Sequence, residues 1–230
     1  MARRRTLAAL VAVNLAATAG SAGAQVPPAD PAPAGDAPVA APPPVVPDET
    51  IAPRPRSRAV GKPWRGRLVD GTQLPAYGVG YMTWDGVLDR LPNRDWRRWG
   101  TTTLVGLVER VSAEFQTSHP GAPLVLVGDL SRPQGGVFDR RYGGLGHASH
   151  QNGLDVDVYY PRRGGLPLAP IRPEQVDRRL AQDLVDRFVA AGAEKVFVGP
   201  RVGLRGPRRV VSRLVHHDDH LHVRIREGRA

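Results

Sequence analysis

The sequence predicts one α+β domain over residues 57–230, with a central antiparallel sheet and helices packed on it. Three observations predict this class. Two segments repeat apolar residues at the spacing of an amphipathic helix, four segments alternate or run continuously apolar as strands do, and no internal repeat indicates a solenoid or a propeller. Helices and strands in mixed order are typical of a sheet covered by helices on one face.

Residues 1–24 have the three parts of a cleavable secretory signal. An arginine-rich start precedes an apolar stretch from Leu7 to Ala17, and small residues follow it. This stretch is shorter than the roughly 20 apolar residues of a membrane span. Residues 25–56 are rich in proline and alanine, which favours an extended, disordered linker. We therefore expect a periplasmic or secreted protein with no transmembrane segment after signal removal.

The composition adds two constraints. The 230 residues carry a formal net charge of +10, which would attract anionic polymers of a cell wall, although a general preference for arginine explains the charge equally well. The chain has no cysteine, so it can form no disulfide and offers no cysteine for lipid attachment.

The first helix is predicted by apolar residues from Leu104 to Phe115, and it should end near His119, where proline and glycine follow. His119 is more typical of a helix end than of a ligand. Residues 123–127 are predicted to form a buried strand, followed by a long loop. Four tryptophans from Trp64 to Trp99 predict irregular structure that packs over the core or rims a groove, and packing is favoured because large aromatic side chains are usually buried.

The second half of the domain repeats the pattern. Alternation over residues 154–160 predicts a strand with Asp155 and Asp157 on its polar face. A second helix should begin at Pro173 and end at Gly192, and strand-like residues 195–198 follow it. Residues 220–225 alternate again, so His220 and His222 should point the same way.

Six of the seven histidines fall in two clusters, within residues 147–157 and 216–222. Imidazoles crowd in this way when a cation gives their lone pairs a common target, and a catalytic zinc characteristically takes three protein ligands and one water. The strand patterns allow His222 and His150 to meet one carboxylate. Spacing alone does not decide between Asp155 and Asp157.

Two motifs carry a family resemblance, His147-x-x-His150-x-x-Gly153-x-x-x-Asp157 and His217-x-x-His220-x-His222. Over about residues 60–230, the chain resembles the penicillin-insensitive murein endopeptidases, which are zinc peptidases related to lysostaphin-type and D-alanyl-D-alanine peptidases. The resemblance implies one zinc ion per chain on the sheet, and hydrolysis of peptide cross-links in peptidoglycan by attack of a metal-bound water. The implied partner is peptidoglycan and not nucleic acid.

The resemblance also implies roles for individual residues. The zinc ligands would be His150, Asp157 and His222, with His220 as the general base and His217 assisting it. Asp219 is a rival base, but the strand pattern predicts that it points to the opposite face.

Four residues would support the ligands or meet the substrate: His147, Asp155, Asp129 and Ser131. His147 would bind the metal itself or hold a ligand, and Asp155 would orient one if Asp157 binds. Asp129 and Ser131 suit either local loop bonds or a substrate groove, and Arg132 suits a substrate carboxylate or the surface.

Two further hypotheses remain at this stage. One is a catalytically inactive, zinc-containing module that binds peptidoglycan, and the other is a phosphoesterase, which would need more carboxylates to hold two ions. The sequence leaves open which cross-link is cut, D,D or L,D, and the oligomeric state.

Overall fold

The structure is a computed structural model that describes residues 56–227. The predicted signal and nearly all of the predicted linker lie outside the described residues. The helices are α1 (Thr102–Ser118) and α2 (Arg178–Ala190). The strands are β1 (Arg58–Lys62), β2 (Arg65–Val69), β3 (Thr72–Gln73), β4 (Tyr77–Gly78), β5 (Tyr81–Thr83), β6 (Trp99–Gly100), β7 (Val125–Val127), β8 (Asp155–Tyr159), β9 (Lys195–Val198), β10 (Val211–Arg213) and β11 (His220–Arg224). Neither helix is long and apolar enough to cross a membrane.

The main sheet has seven strands in the order β10-β9-β11-β8-β7-β5-β4. Its four central strands, from β9 to β7, are antiparallel as predicted. The prediction of an antiparallel sheet is wrong for two outer pairs, because β10 runs parallel to β9 and β5 runs parallel to β7. A parallel pair needs a crossover connection, and α1 lies in the connection from β5 to β7. The fold is therefore α+β with a mixed sheet.

Both helices contribute to the core beneath the main sheet. From β8 and β11, Val156, Val158, Leu221 and Val223 are fully buried in the same apolar cluster as the inner faces of α1 and α2. Because side chains alternate along a strand, the residues between these four lie on the opposite, polar face. In β8 and β11, the apolar side chains therefore face the helices and the polar side chains between them face the other way, as the alternation predicts.

The helix ends differ from prediction at one place. α1 begins after Thr101, whose side chain accepts a hydrogen bond from the Leu104 N–H, and it ends at Ser118, next to His119, as predicted. α2 begins at Arg178 and not near Pro173, because Asp177 accepts hydrogen bonds from the first free N–H groups of the helix. Pro173 instead begins a separate 3₁₀ turn.

The segment before α1 contains more regular structure than predicted. It holds six short strands, of which β1 and β2 form a hairpin and β3 pairs with β6 outside the main sheet. The other four, β3 to β6, have two or three residues each, too few to show an alternating pattern. Trp84 is buried as expected for packing, whereas Trp64 is 56% exposed.

Candidate metal centre

The pairing of β8 with β11 creates the site. In this antiparallel ladder, Asp157 lies opposite His222 and Asp155 lies opposite Arg224. The Cα atoms of facing residues in such a pair are about 4.5–5.5 Å apart, so their side chains meet on the polar face. The 64 residues between Asp157 and His222 in the chain therefore do not separate them in space.

His150 reaches the same point from the loop before β8. Its backbone has φ +63°, a left-handed conformation that a histidine rarely adopts. Two hydrogen bonds hold this conformation: Ser131 Oγ donates to the His150 carbonyl at 2.6 Å, and the His150 N–H donates to Asp155 Oδ2 at 3.1 Å. Ser131 thus holds the loop, one of its two expected roles.

Three side-chain atoms converge where these segments meet. His150 Nε2 lies 3.3 Å from His222 Nδ1 and 3.3 Å from Asp157 Oδ1. The third distance, from His222 Nδ1 to Asp157 Oδ1, is 3.2 Å. All three side chains are almost completely buried.

The remaining nitrogens of the two rings are already engaged. His150 Nδ1 donates to the Leu130 carbonyl, and His222 Nε2 donates to Asp155 Oδ1 at 2.9 Å. A neutral imidazole carries one N–H, so each ring turns a lone pair toward Asp157. Asp157 Oδ1 is buried and has no hydrogen-bond partner. Buried polar atoms are nearly always satisfied, so three facing lone pairs fit a cation.

The charges of the site favour the same conclusion. Burial alone would raise the pKa of Asp157, but the nearby His150 and His220 hold it well below its usual range. Burial alone would lower the pKa of His222, but its hydrogen bond with Asp155 and the adjacent Asp157 carboxylate raise it to about 9. The two carboxylates therefore draw positive charge to this point, which a proton or a metal cation can supply.

His147 lies beside the three converging atoms. Its Nδ1 is 3.6 Å from Asp157 Oδ2, and its Nε2 lies 2.7 Å from Asp129 Oδ2. His147, His150 and Asp157 offer ligand atoms that all lie within 4.8 Å of one another. The geometry thus places His147 close enough to be a ligand, in addition to the three residues expected from sequence.

Asp129 is held by a buried arginine that sequence reasoning missed. Arg97 is 2% exposed; its Nε donates to Asp129 Oδ1 at 2.6 Å and its Nη1 donates to the Tyr142 carbonyl. Burial would raise the pKa of Asp129, but the hydrogen bonds with His147 and Arg97 hold it well below its usual range. Arg97 carries no sequence signal, because it is one of 32 basic residues scattered through the chain.

His220 and His217 lie next to the three converging atoms, and the centres of their rings are 4.8 Å apart. His220 Nδ1 donates to Asp219 Oδ1 at 2.7 Å, and its Nε2 is 3.8 Å from Asp157 Oδ1. The expectation that Asp219 points away is wrong, because Asp219 precedes β11 and does not follow the alternation of the strand. His217 Nδ1 donates to the Val215 carbonyl, and burial and His220 lower its pKa to about 4.

The site opens into a cleft of about 590 Å³. Such a volume is in the usual range for small-ligand sites. The cleft is bounded by His147, His217 and His220 together with a rim of apolar side chains: Trp64, Val87, Leu145, Phe197, Leu214 and Val215. A bound molecule of peptide size would therefore reach the converging atoms. Arg132 does not line the cleft; it donates to the Val137 carbonyl at 2.9 Å.

Comparison with known proteins identifies relatives. Penicillin-insensitive murein endopeptidases of Salmonella heidelberg and Salmonella arizonae are 28% identical to this chain over 197 residues, and that of Citrobacter koseri is 29% identical. Each comparison covers 74% of this chain and 66% of the relative. The chain therefore spans slightly less than two thirds of the length of these relatives.

A family model gives the broader assignment. The model described as penicillin-insensitive murein endopeptidase matches residues 59–197, more than half of the chain. The match includes His147, His150 and Asp157 and ends before the second histidine cluster, which strand pairing brings to the same place. By the extent of this match, the chain belongs to the penicillin-insensitive murein endopeptidase family.

Proposed function

We propose that this protein is a zinc-dependent endopeptidase that hydrolyses peptide cross-links of peptidoglycan in the periplasm or outside the cell. The observation that carries the proposal is the convergence of three buried lone pairs, on His150 Nε2, Asp157 Oδ1 and His222 Nδ1. Nitrogen and carboxylate ligands at a site that opens to solvent are typical of catalytic zinc. The names of its relatives support murein as the substrate.

The zinc would be held by His150, Asp157 and His222, with His147 beside them. When bound at such a site, zinc lowers the pKa of water and stabilises negative charge on a carbonyl oxygen. Asp155 and the Leu130 carbonyl accept the N–H groups of the two rings and thereby keep the metal-facing nitrogens unprotonated.

His220 is suited to accept a proton during hydrolysis. Its Nδ1–H is directed at Asp219, so its Nε2 presents a lone pair to the cleft. Burial lowers the pKa of His220, but Asp157 and Asp219 together raise it above the ordinary value. A histidine that lies beside the metal without binding it is a common general base in such reactions.

His217 supports this step. Its low pKa keeps the ring neutral at pH 7, so it does not repel a protonated His220. Its Nδ1 donates to Val215, which leaves Nε2 as an acceptor. We therefore assign it a role in stabilising the His220 cation or a polar group of the substrate.

The test uses protein without residues 1–24, one equivalent of zinc and purified cross-linked muropeptide dimers. We expect mass spectrometry to detect monomers, and the product masses identify the bond as D,D or L,D. Chelation should abolish the reaction and added zinc should restore it.

Two variants separate chemistry from metal binding. His220→Ala should keep stoichiometric zinc but lose at least about 100-fold in rate, the usual contribution of a general base. His119→Gln, which changes the one histidine outside both clusters, should retain wild-type activity. Intact dimers with stoichiometric zinc in the wild-type protein would contradict the proposal and favour a binding module.

A further inference from the structure

Arg224 lies in the cleft beside the metal-binding residues and is only partly engaged. Side chains alternate along β11, so Arg224 shares the polar face with His222, two residues or roughly 7 Å along the strand. Its Nε donates to Asp155 Oδ1 at 2.7 Å. Within residues 56–227, its two terminal nitrogens make no hydrogen bond.

Arg97 provides a direct comparison. In the described part of the chain, these two arginines line the cleft. Arg97 directs two nitrogens at the Asp129 carboxylate and the third at the Tyr142 carbonyl. All three nitrogens of Arg97 are therefore hydrogen-bonded within the protein, whereas Arg224 lines the cleft and hydrogen-bonds only through Nε among the described residues.

Two aromatic rings flank the Arg224 guanidinium. Its central carbon lies 5.7 Å from the centre of the Trp64 ring and 5.9 Å from that of Phe197. Trp64 is largely exposed at the rim, and Arg224 itself is 14% exposed. Apolar neighbours reduce the screening of charge by water, and a planar guanidinium matches a carboxylate with two parallel hydrogen bonds.

We infer that Arg224 binds a carboxylate of the substrate peptide, with Trp64 packing against the adjoining part of the peptide. The inference rests on the proposed function and adds a specificity determinant to it. An extended peptide rises about 3.3 Å per residue, so the bound carboxylate belongs to a residue within about two positions of the bond that is cut. Murein stem peptides offer carboxylates from acidic and diamino acids near their cross-links.

Arg224 also contacts Asp155, which holds His222, so the loss of Arg224 could lower activity on every substrate. The test therefore measures the preference of the protein between two substrates. Two cross-linked peptides are prepared that differ only in whether the carboxylates next to the cross-link are free or amidated. The ratio of kcat/KM for the two substrates cancels any general damage to the site. We expect wild-type protein to prefer the free carboxylate by about 10-fold or more, chiefly through KM, since one bidentate ionic contact contributes at least this much.

Arg224→Gln should reduce this ratio to about one, and Arg224→Lys, which keeps the charge but not the fork, should give an intermediate ratio. Arg132→Gln is the matched control, because Arg132 lies outside the cleft, and it should keep the wild-type ratio. An unchanged ratio in Arg224→Gln would overturn the inference and leave the proposed function intact.

A binding measurement keeps the inference testable without turnover. Quenching of tryptophan fluorescence by the same peptide pair is recorded with zinc-loaded His220→Ala protein, and with the same protein carrying Arg224→Gln. Tighter binding of the free-carboxylate peptide that disappears with Arg224→Gln supports the inference. Equal binding of the two peptides before that substitution overturns it. Failure of wild-type protein to cut either peptide counts against the proposed function alone.

Discussion

His222 Nε2 donates a hydrogen bond to Asp155 at 2.9 Å, and this contact decides which ring nitrogen faces Asp157. Because Nε2 carries the proton, Nδ1 presents the lone pair. The other oxygen of Asp155 accepts the backbone N–H of His150. One fully buried carboxylate therefore orients residues from both histidine clusters.

Asp155→Asn should weaken zinc binding. The amide can offer an N–H in place of an acceptor, which would favour the wrong tautomer of His222, and loss of such supporting contacts typically lowers metal affinity by about 10–100-fold. Competition with a chromogenic chelator measures the affinity. Asp139→Asn, which changes an exposed aspartate paired with Arg141, is the control. Wild-type affinity in the Asp155 variant would contradict this role.

His222→Ala and His147→Gln should differ in zinc content. His222 offers one of the three converging lone pairs, so its loss should leave less than stoichiometric zinc after dialysis. His147 already engages Asp129 through Nε2, and glutamine should retain one equivalent of zinc at reduced affinity. Elemental analysis of both variants decides the matter. Stoichiometric zinc in His222→Ala with none in His147→Gln would exchange the two assignments.

Arg97→Met should destabilise the fold by about 3–5 kcal/mol, because it leaves the buried Asp129 carboxylate without its main partner. Urea unfolding followed by circular dichroism measures the change. The double variant Arg97→Met/Asp129→Asn should recover part of the loss, since no buried charge remains. Arg141→Gln removes an exposed ion pair and should unfold like the wild type. Equal free energies of unfolding for Arg97→Met and Arg141→Gln would refute the argument.

Tyr160→Phe should cost about 1–3 kcal/mol. The buried hydroxyl donates to the His217 carbonyl at 3.1 Å and accepts from the Gly199 N–H at 3.2 Å, so its removal leaves two backbone groups without a partner. Urea unfolding at pH 7 measures this loss.

The same residue predicts an alkaline limit. Burial raises the pKa of Tyr160 above its ordinary value of 10.0. A pKa that is higher in the folded state gives stability that is complete below pH 10 and is lost as the pH rises further. Wild-type protein should therefore lose stability more steeply above pH 10 than Tyr160→Phe. Parallel slopes would exclude a contribution from this hydroxyl.

The sequence predicted those parts of the fold that have a strong period. The strands β8 and β11 alternate over five residues, and their alternation correctly placed Asp157 and His222 on one polar face. β5 has only three residues, too few to show a pattern. The parallel pairing of β10 with β9 gave no local signal, because strand pairing depends on contacts between distant segments. α2 begins directly after its N-cap residue Asp177 and not at Pro173.

The site was predictable as a set of residue types but not as a network. The strand patterns predicted that His150 and His222 meet one aspartate, and the family resemblance selected Asp157, whose Oδ1 lies beside both rings in the structure. The contact between Asp219 and His220 was missed, because Asp219 lies just before the strand and is free of its alternation. The role of Arg97 depends on a segment that approaches Asp129 only in the folded chain, so no spacing rule could have identified it.

The alternation of β11 also limits how this protein can change during evolution. Slippage of the strand by one position would turn Leu221 and Val223 into the cleft and drive His220, His222 and Arg224 into the apolar core. An insertion or deletion of a single residue inside this strand should therefore abolish both folding and metal capture.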